Sequence, residues 1–250
     1  MDNKKRVVIV GATSAIAEHC ARLWLEKEPI DLTLVGREAE RVKRVASDLL
    51  VRSPESEVRS FQTVFLSPQA IEASVENIYQ SGSVDVVLIA YGSLPEQAGC
   101  QDDLTACKDA IEINGVSPVL FAEAFAKRME RANHGTIILI GSVAGDRGRK
   151  SNYVYGAAKG LVARYAQGLQ HRFARTGVQV VLIKPGPTDT PMTAHLKSKG
   201  AKLASAEIVA KQIIEGVRGG RPVIYAPSKW WLIMMVVRHI PAVVFNKFNI

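Results

Sequence analysis

The chain of 250 residues has little of what marks secreted, metal-binding or membrane-spanning proteins. Its three cysteines are odd in number and lack the spacing of metal ligands, which favours inert thiols in a reducing cytosol. The five histidines are scattered, so no metal site is predicted. The apolar run at 7–10 is too short for the core of a signal peptide. We therefore expect a cytoplasmic protein.

Acidic residues are missing from the C-terminal part of the chain. The net charge is +8, and no Asp or Glu follows Glu215. Five basic residues occupy this stretch: Arg218, Arg221, Lys229, Arg238 and Lys247. Aromatic residues are not interleaved with these cations as base stacking would require, so no nucleic-acid partner is expected. An acidic membrane surface or a phosphate-bearing substrate fits this charge better.

Short apolar runs, rich in β-branched residues, alternate along the chain with helical patterns. The runs lie at 6–10, 31–36, 58–66, 84–92, 135–142, 178–186 and 221–227. Runs that are apolar almost throughout indicate strands that are buried on both faces. The stretch 205–218 predicts a helix, because a serine cap precedes apolar residues spaced three and four apart. The pattern predicts an α/β protein with a single Rossmann-type, doubly wound parallel sheet of about seven strands.

No linker rich in Pro, Gly or Ser divides the chain, so we expect one domain. Its nucleotide-binding and catalytic part spans 1–227, and an apolar, basic tail at 228–250 belongs to the same domain. Ligands of such a sheet bind beyond the carboxyl ends of the strands. Functional residues are therefore expected directly after the apolar runs.

The sequence GATSAIA at 11–17 follows the first predicted strand and predicts a phosphate-binding turn. The backbone N–H groups of such a turn, with the N-terminus of the next helix, bind a pyrophosphate. We expect Gly11, Ser14 and Ile16 at the cofactor. Alanine stands at two of the three usual glycine positions, so an ordinary strand–helix turn is the alternative reading.

The end of the second predicted strand bears on the choice of nucleotide. A site for NAD usually carries an acid here that holds the ribose 2′-hydroxyl, whereas this chain has Arg37. A guanidinium can hold a 2′-phosphate with two hydrogen bonds. The sequence therefore favours NADP(H) over NAD(H). Two alternatives remain for this strand end. Arg37 could be a solvated surface residue, or Glu38 could contribute to binding NADH.

The helical stretch that begins near residue 151 carries Tyr155 and Lys159, which are four residues apart and share a helix face. A lysine cation on that face can lower the pKa of a tyrosine. A tyrosine with a lowered pKa can exchange a proton with a carbonyl oxygen. The pair therefore predicts general acid/base chemistry on a ketone or an alcohol.

The order of these motifs along the chain is that of a known family. Gly92 and Asn114 follow the fourth predicted strand, Ser142 follows the fifth, and Pro185–Gly186 follows the sixth. Together with GATSAIA and YxxxK, they make the chain resemble the short-chain dehydrogenase/reductase family from about residue 4 to residue 227.

This resemblance implies a role for each matching residue. Tyr155 would be the general acid/base, and Lys159 would lower its pKa and hold the nicotinamide ribose. Ser142 would orient the substrate carbonyl, and Asn114 would support a proton relay through water. The resemblance also implies a homodimer or homotetramer. It implies further cofactor contacts at Ala90, Gly92, Pro185, Gly186, Thr188 and Thr190.

The chain departs from the family pattern in two loops. The usual Asn-Asn-Ala-Gly after the fourth strand is Ile-Ala-Tyr-Gly at 89–92. Phe65 or Leu66 stands where an acid usually meets the adenine after the third strand. These departures concern how the cofactor is held rather than the hydride chemistry.

The tail contains WWLIMMVVRHIPAVVF at 230–245. Arg238 and His239 interrupt the apolar run and Pro241 breaks it, so the run falls short of the roughly 20 residues of a spanning helix. A helix that is apolar almost all round suits burial or a lipid interface. Two readings stay open: the tail covers the substrate cleft or a subunit interface, or it makes peripheral contact with the inner face of the cell membrane through 230–248.

A narrower resemblance rests on the segments 91–94, 154–159, 191–197, 223–227 and 233–248. They are similar to those reductases of the family that act on polyprenyl-phosphoryl 2-ketopentoses. This resemblance implies a lipid-linked sugar as the substrate and a separate flavin oxidase as the partner that makes the ketone. A reductase of soluble or acyl-linked ketones with a structural tail is a second interpretation. A nucleotide-sensing protein without turnover is a third.

Overall fold

The computed structural model of the chain describes residues 4–198 and 200–247. The first and last three residues of the predicted domain therefore lie outside the described residues, and so does position 248 of the predicted membrane contact at 230–248. The strands are β1 (Arg6–Val10), β2 (Asp31–Gly36), β3 (Glu57–Gln62), β4 (Val86–Ile89), β5 (Gly135–Ile140), β6 (Val178–Pro185), β7 (Thr188–Asp189), β8 (Ala204–Ser205) and β9 (Val223–Ala226). The helices are α1 (Ala15–Leu25), α2 (Ala39–Arg52), α3 (Pro68–Gln80), α4 (Gln97–Asp102), α5 (Leu104–Ile111), α6 (Ser117–Ala132), α7 (Tyr153–Arg172), α8 (Ala194–Ser198), α9 (Ala206–Arg218), α10 (Lys229–His239) and α11 (Ala242–Phe245).

Seven of the strands form one parallel sheet in the order β3-β2-β1-β4-β5-β6-β9. The predicted doubly wound α/β sheet is thereby confirmed. The strand order reverses between β1 and β4, and in such sheets the crevice beyond the carboxyl ends at this point receives the ligand. The remaining strands, β7 and β8, pair with each other beside this edge.

Helices cover both faces of the sheet. The side chains of β1 alternate between the faces: Val7 and Ile9 pack with α1, α2 and α9, while Val8 and Val10 pack with α3, α6 and α7. This alternation, with both faces buried, explains why the central strands are apolar throughout. Ser205 caps α9 as predicted, because its Oγ accepts a hydrogen bond from the Ile208 N–H at 3.2 Å.

The strand β3 differs from its prediction. The apolar run predicted a strand over 58–66, whereas β3 ends at Gln62 and most of its side chains are exposed or half-buried. It pairs on one side only, with β2, because it is an edge of the sheet. The residues that follow turn inward, and Phe65 becomes 2% exposed at the end of the sheet where the ligand crevice lies.

The tail forms α10 and the short α11, separated at Pro241 as its sequence predicts. Only Met234 of α10 is buried. Among the described residues, no helix combines the length and the apolar character needed to cross a bilayer. The described residues also contain no cluster of His, Cys, Asp and Glu arranged to bind a metal ion.

Candidate active site

A cavity of about 390 Å³ opens beyond the carboxyl ends of the strands, where the strand order reverses. Residues from turns after β1, β2, β4, β5 and β6 line it together with the first turns of α7. The predicted site residues that line it are Gly11, Ser14, Ile16, Arg37, Ala90, Gly92, Ser142, Tyr155, Lys159, Pro185, Gly186, Thr188 and Thr190. Asn114, predicted as catalytic, is absent from this lining.

The turn after β1 has the backbone shape that its single glycine permits. Gly11 adopts φ +88°, a conformation that is costly for residues with a side chain. A Cβ on Gly11 would also come within 2.6 Å of the Tyr91 Cβ. Ala15 and Ala17 lie inside the helix α1, where no positive φ is required. The alanines at two glycine positions are therefore compatible with this turn.

The N-terminus of α1 faces the cavity. Ser14 is its N-cap residue and has an extended backbone, yet its side chain makes no capping hydrogen bond. Both Ser14 and Ile16 line the cavity. The uncapped N–H groups of a first helical turn attract anions, so this part of the cavity suits a phosphate.

Two arginines and a glutamate lie at the β2 end of the cavity. Arg37 is exposed, and Glu38 forms an ion pair with Arg41 at 2.9 Å. All three residues line the cavity. Because the Glu38 carboxylate is already paired with a cation, the local charge at this end is positive.

An aromatic cluster occupies the place of the missing acid after β3. The rings of Phe65 and Tyr91 are 4.5 Å apart between centroids, and Phe121 packs against both. The Tyr91 hydroxyl hydrogen-bonds to Ser117 Oγ at 2.5 Å, and Ser117 Oγ donates to the Phe65 carbonyl at 2.5 Å. The loops after β3 and β4 are thereby joined, so the sequence departures in these loops compensate each other.

Ser142 and Lys159 are held in fixed positions beside Tyr155. Ser142 caps a 3₁₀ turn, Val143–Asp146, by accepting a hydrogen bond from the Ala144 N–H at 3.1 Å. Lys159 is 2% exposed, and its Nζ donates to the Ile140 carbonyl at 3.0 Å.

The Tyr155 hydroxyl is less acidic than the sequence predicts. Burial raises the pKa of Tyr155 to about 12, and a hydrogen bond with Ser142 opposes this only in part. Lys159 Nζ lies 5.9 Å from the centroid of the Tyr155 ring, and burial lowers the pKa of Lys159 itself to about 8. The cost of burying the phenolate therefore decides the direction of the Tyr155 pKa shift in this structure. The lowering of that pKa by Lys159 stays a prediction.

Asn114 lies behind the cavity in a π-helical turn, Glu112–Val116, and is fully buried. Its Oδ1 accepts a hydrogen bond from the Ser93 N–H at 2.8 Å, and its Nδ2 donates to the Ala110 carbonyl at 2.9 Å. A Cβ on Gly92 would come within 2.5 Å of that Oδ1. The Asn114 side chain therefore fixes the loop after β4. A π turn within a helix is frequently associated with functional sites.

A buried ion pair holds the loop after β5. The Asp146 carboxylate contacts Lys184 Nζ at 2.5 Å and accepts a hydrogen bond from the Tyr225 hydroxyl at 2.7 Å. Both charged side chains are under 10% exposed, at 3% and 6%. Removing one partner of such a pair typically lowers the free energy of unfolding by about 3–5 kcal/mol. The loop that carries Ser142 is thereby tied to β6 and β9.

The tail is attached to the same loop. Arg147 Nη1 donates to the carbonyls of Val237 and Ile240, both at 2.6 Å, and its guanidinium lies 3.8 Å from the centroid of the Phe245 ring. At the start of α10, the Trp230 indole lies against Gly186, where any Cβ would collide with it. The start of α10 therefore packs against Gly186 of the cavity lining, and the rest of the tail is held by the loop after β5.

A family model described as short chain dehydrogenase matches residues 5–201. The chain belongs to this family. An uncharacterised oxidoreductase of Streptomyces coelicolor, encoded in the mprA 5′ region, is 27% identical over 247 residues, which is 97% of this chain and 95% of that protein. The chain is thus an oxidoreductase by family.

Solved structures of other members share the fold. A short-chain dehydrogenase from Sphingobium yanoikuyae, in complex with NADPH, is 22% identical with a TM-score of 0.81, and 93% of each chain is covered. One from Burkholderia cenocepacia, in complex with NADP, is 17% identical with a TM-score of 0.82 and covers 99% of this chain and 98% of its own. At these identities the likeness establishes the architecture.

Several residues of the site were not predicted from the sequence. Arg149 and Asn152 line the cavity, and Arg147 fixes the tail. Their signal in the sequence is weak, because they lie in a loop between two motifs and no spacing rule assigns them a role. A basic loop, DRGRK at 146–150, five positions before Tyr155 was the available hint.

Proposed function

We propose that the chain reduces a ketone with a nicotinamide cofactor, and that its substrate is the 2-keto group of a polyprenyl-phosphoryl pentose. One observation carries this proposal: a single loop holds Ser142 beside Tyr155 and, through Arg147, fixes the apolar helix α10 next to the cavity. A reducing centre beside an apolar, basic surface suits a substrate that combines a ketone, an anion and a lipid.

The cavity residues fit a nicotinamide dinucleotide. The Gly11 turn and the uncapped N-terminus of α1 suit a pyrophosphate, with Arg37 toward one end of the cavity and Tyr155 in another part of it. The two similar structures that contain NADPH and NADP support this ligand class. When bound, the cofactor supplies the hydride for the carbonyl carbon.

The chain's own groups supply the proton and the orientation. With a pKa of about 12, the Tyr155 hydroxyl stays protonated at neutral pH, which is the form that donates a proton to a carbonyl oxygen. The Ser142 hydroxyl, fixed by its cap, orients that oxygen. The Lys159 cation stabilises the negative charge that develops there. The Asn114 side chain keeps the loop after β4 in place.

The pH dependence follows from these two pKa values. Below pH 8 both Tyr155 and Lys159 are protonated, and reduction is expected at its full rate. Above pH 8 Lys159 loses its proton, so kcat/KM for reduction falls as pH rises. Oxidation of the alcohol requires Tyr155 to accept a proton, so its rate should rise with pH. Profiles from pH 6 to 10 in both directions measure this.

The matched variant for the pH profile is Lys159→Arg. An arginine keeps its charge over this range, so the fall near pH 8 should disappear even where the absolute rate is lower. A wild-type reduction rate that stays level to pH 10 would contradict the assignment.

NADPH is proposed over NADH because Arg37 and Arg41 make the β2 end of the cavity positive. The only acid among the described residues there, Glu38, is paired with Arg41. Arg37→Asp is expected to raise the KM for NADPH by roughly 10–100-fold, the value of one or two charge-assisted hydrogen bonds. The KM for NADH should change little or fall. Steady-state kinetics with each cofactor measure the ratio.

The control for this substitution is Arg44→Asp, on the exposed surface of the helix α2 that follows Arg37. It makes the same change in net charge away from the cavity lining. Equal effects of the two substitutions would show a general electrostatic effect and contradict a 2′-phosphate contact.

The lipid part of the proposal rests on the surface of the tail. Trp231, Leu232 and Val236 are 56–58% exposed on α10. Lys229 and Arg238 lie at the ends of this helix and are exposed. Apolar side chains flanked by cations match the boundary of an anionic lipid layer. We propose peripheral contact with the inner face of the cell membrane, and a flavin oxidase that supplies the ketone there.

A second candidate is a reductase of soluble or acyl-linked ketones in which α10 and α11 seal a homodimer or homotetramer. The same exposed apolar residues favour it, since a subunit interface also buries such a surface. The two functions differ in substrate, which an assay can decide.

The experiment follows NADPH oxidation with a short-chain polyprenyl-phosphoryl 2-ketopentose and, separately, with the same phosphorylated ketosugar lacking the lipid. The proposed function predicts a kcat/KM at least tenfold higher for the lipid-linked ketone (about 1.4 kcal/mol of added binding). Equal values for the two substrates, or for simple soluble ketones, would favour the second candidate.

A further inference from the structure

Two buried polar atoms in the cavity wall have no hydrogen-bond partner among the described residues. They are Arg149 Nε and Asn152 Oδ1. One is a donor on a cation and the other is an acceptor on an amide. In folded proteins nearly all buried polar atoms have a hydrogen-bond partner, so each exception requires an explanation.

The Arg149 side chain is half-buried, with its Nε fully buried, and no charge in the described part of the chain compensates it. Burial lowers its pKa, and no carboxylate of the described residues acts on it. An unpaired buried charge is costly. A side chain kept in this state is stabilised when an anion enters the cavity.

Within the described residues, the Asn152 side-chain oxygen also has no role in holding the fold together. Asn152 is the N-cap residue of α7, but its side chain does not cap the helix. Its backbone N–H donates to the Arg149 carbonyl at 3.1 Å, so one turn holds both residues within six positions of Tyr155. Both side chains line the cavity that Ser142 and Tyr155 also line.

The other cations of the cavity already have assignments. Arg41 pairs with Glu38, and Arg37 lies at the β2 end. Lys159 donates to the Ile140 carbonyl beside Tyr155. Arg149 is the remaining cation in the described lining, and the Gly11 turn and α1 already provide for a cofactor pyrophosphate.

We propose that Arg149 and Asn152 form a substrate subsite, in which Arg149 binds a phosphodiester and Asn152 accepts a hydrogen bond from a neighbouring sugar hydroxyl. This inference deepens the proposed function and rests on it. In a 1-phosphoryl 2-ketopentose, the phosphate and the ketone are on adjacent carbons. A substrate of this kind needs an anion-binding group in the cavity that holds the proton donor, and Arg149 lines that cavity six positions before Tyr155.

A binding experiment tests the subsite without turnover. Calorimetry on the protein saturated with NADPH would compare an octylphosphoryl pentose with the octyl pentoside that lacks the phosphate, both carrying a 2-hydroxyl. We expect the wild-type protein to bind the phosphorylated ligand roughly 10–100-fold more tightly. Arg149→Met should abolish this difference, and Arg149→Lys should retain part of it.

The matched control is Lys150→Met, which removes an exposed cation from the adjacent position of the same loop. It should leave the preference for the phosphorylated ligand intact. Asn152→Ala should weaken binding of both sugars equally. The NADPH affinity of Arg149→Met should equal that of the wild type, and its thermal unfolding should show an intact fold.

Three results would overturn the subsite. They are a wild-type protein that binds both ligands equally, an Arg149→Met variant that keeps the preference, and an Arg149→Met variant whose NADPH affinity falls in parallel. A protein that prefers the phosphorylated ligand but fails to reduce the lipid-linked ketone would instead contradict the proposed function and leave the subsite standing.

Discussion

Replacing Tyr155 with phenylalanine is expected to lower kcat by roughly 10²–10⁴-fold, the usual contribution of a positioned general acid. The substitution removes one hydroxyl and keeps the ring that packs near Lys159. Cofactor binding should therefore remain close to wild type. Single-turnover reduction with fluorescence titration of NADPH measures the two quantities separately.

The chain contains a matched control for this prediction. Tyr153 lies two positions earlier on α7, is 43% exposed, and its hydroxyl accepts a hydrogen bond from Gln101 at 3.1 Å. Tyr153→Phe removes the same atom outside the cavity and should leave kcat unchanged. Near-normal turnover by Tyr155→Phe would exclude it as the proton donor. A wild-type protein that binds NADPH but never oxidises it would favour the nucleotide-sensing interpretation.

Replacing three exposed apolar residues of α10 with serine is expected to weaken binding to anionic vesicles by roughly a hundredfold. Burying one large apolar side chain is worth about 1.5–3 kcal/mol, and Trp231, Leu232 and Val236 would each enter the lipid boundary only in part. The KM for a lipid-linked ketone should rise, while that for the same sugar without lipid should stay constant. Vesicle co-sedimentation and steady-state kinetics measure these effects.

This triple substitution leaves the packing of the tail intact. Met234 stays buried, Trp230 stays against Gly186, and Arg147 still holds the last turn of α10. Deleting the tail would remove all these contacts and confuse lost folding with lost binding.

The control for the tail substitutions removes exposed apolar residues elsewhere. Val51 and Leu104 are 82% and 83% exposed on α2 and α5, and their replacement by serine should not affect vesicle binding. If the α10 substitutions instead convert a dimer into monomers with unchanged kinetics on every substrate, the tail is a subunit interface and the lipid reading is wrong.

The sheet could be predicted from the sequence because central parallel strands are apolar on both faces. The run at 6–10 coincides with β1, and Ser205 marks the start of α9. Most residues that line the cavity could also be predicted from the sequence, because the residues after the ends of parallel strands converge at one edge of the sheet. The strand β3 was predicted less well because an edge strand has no two-sided burial to mark its end.

The interactions that distinguish this cavity depend on contacts between distant parts of the chain. Arg147 reaches carbonyls about 90 positions away, and Asp146 meets Tyr225 across a similar separation. No local spacing encodes such contacts. The raised pKa of Tyr155 was missed for the same reason, because burial is a property of the folded cavity and not of the YxxxK spacing.

The most direct test of the proposed reduction is transfer of deuterium from NADPH labelled at the nicotinamide C4 to a polyprenyl-phosphoryl 2-ketopentose, followed by mass spectrometry of the sugar. We predict a reduced pentose that is one mass unit heavier, with the label on C2, formed by the wild-type protein and by Tyr153→Phe, and formed roughly 10²–10⁴-fold more slowly by Tyr155→Phe. Oxidation of NADPH that leaves the ketosugar unreduced, or a reduced pentose without label at C2, would contradict hydride transfer to this ketone.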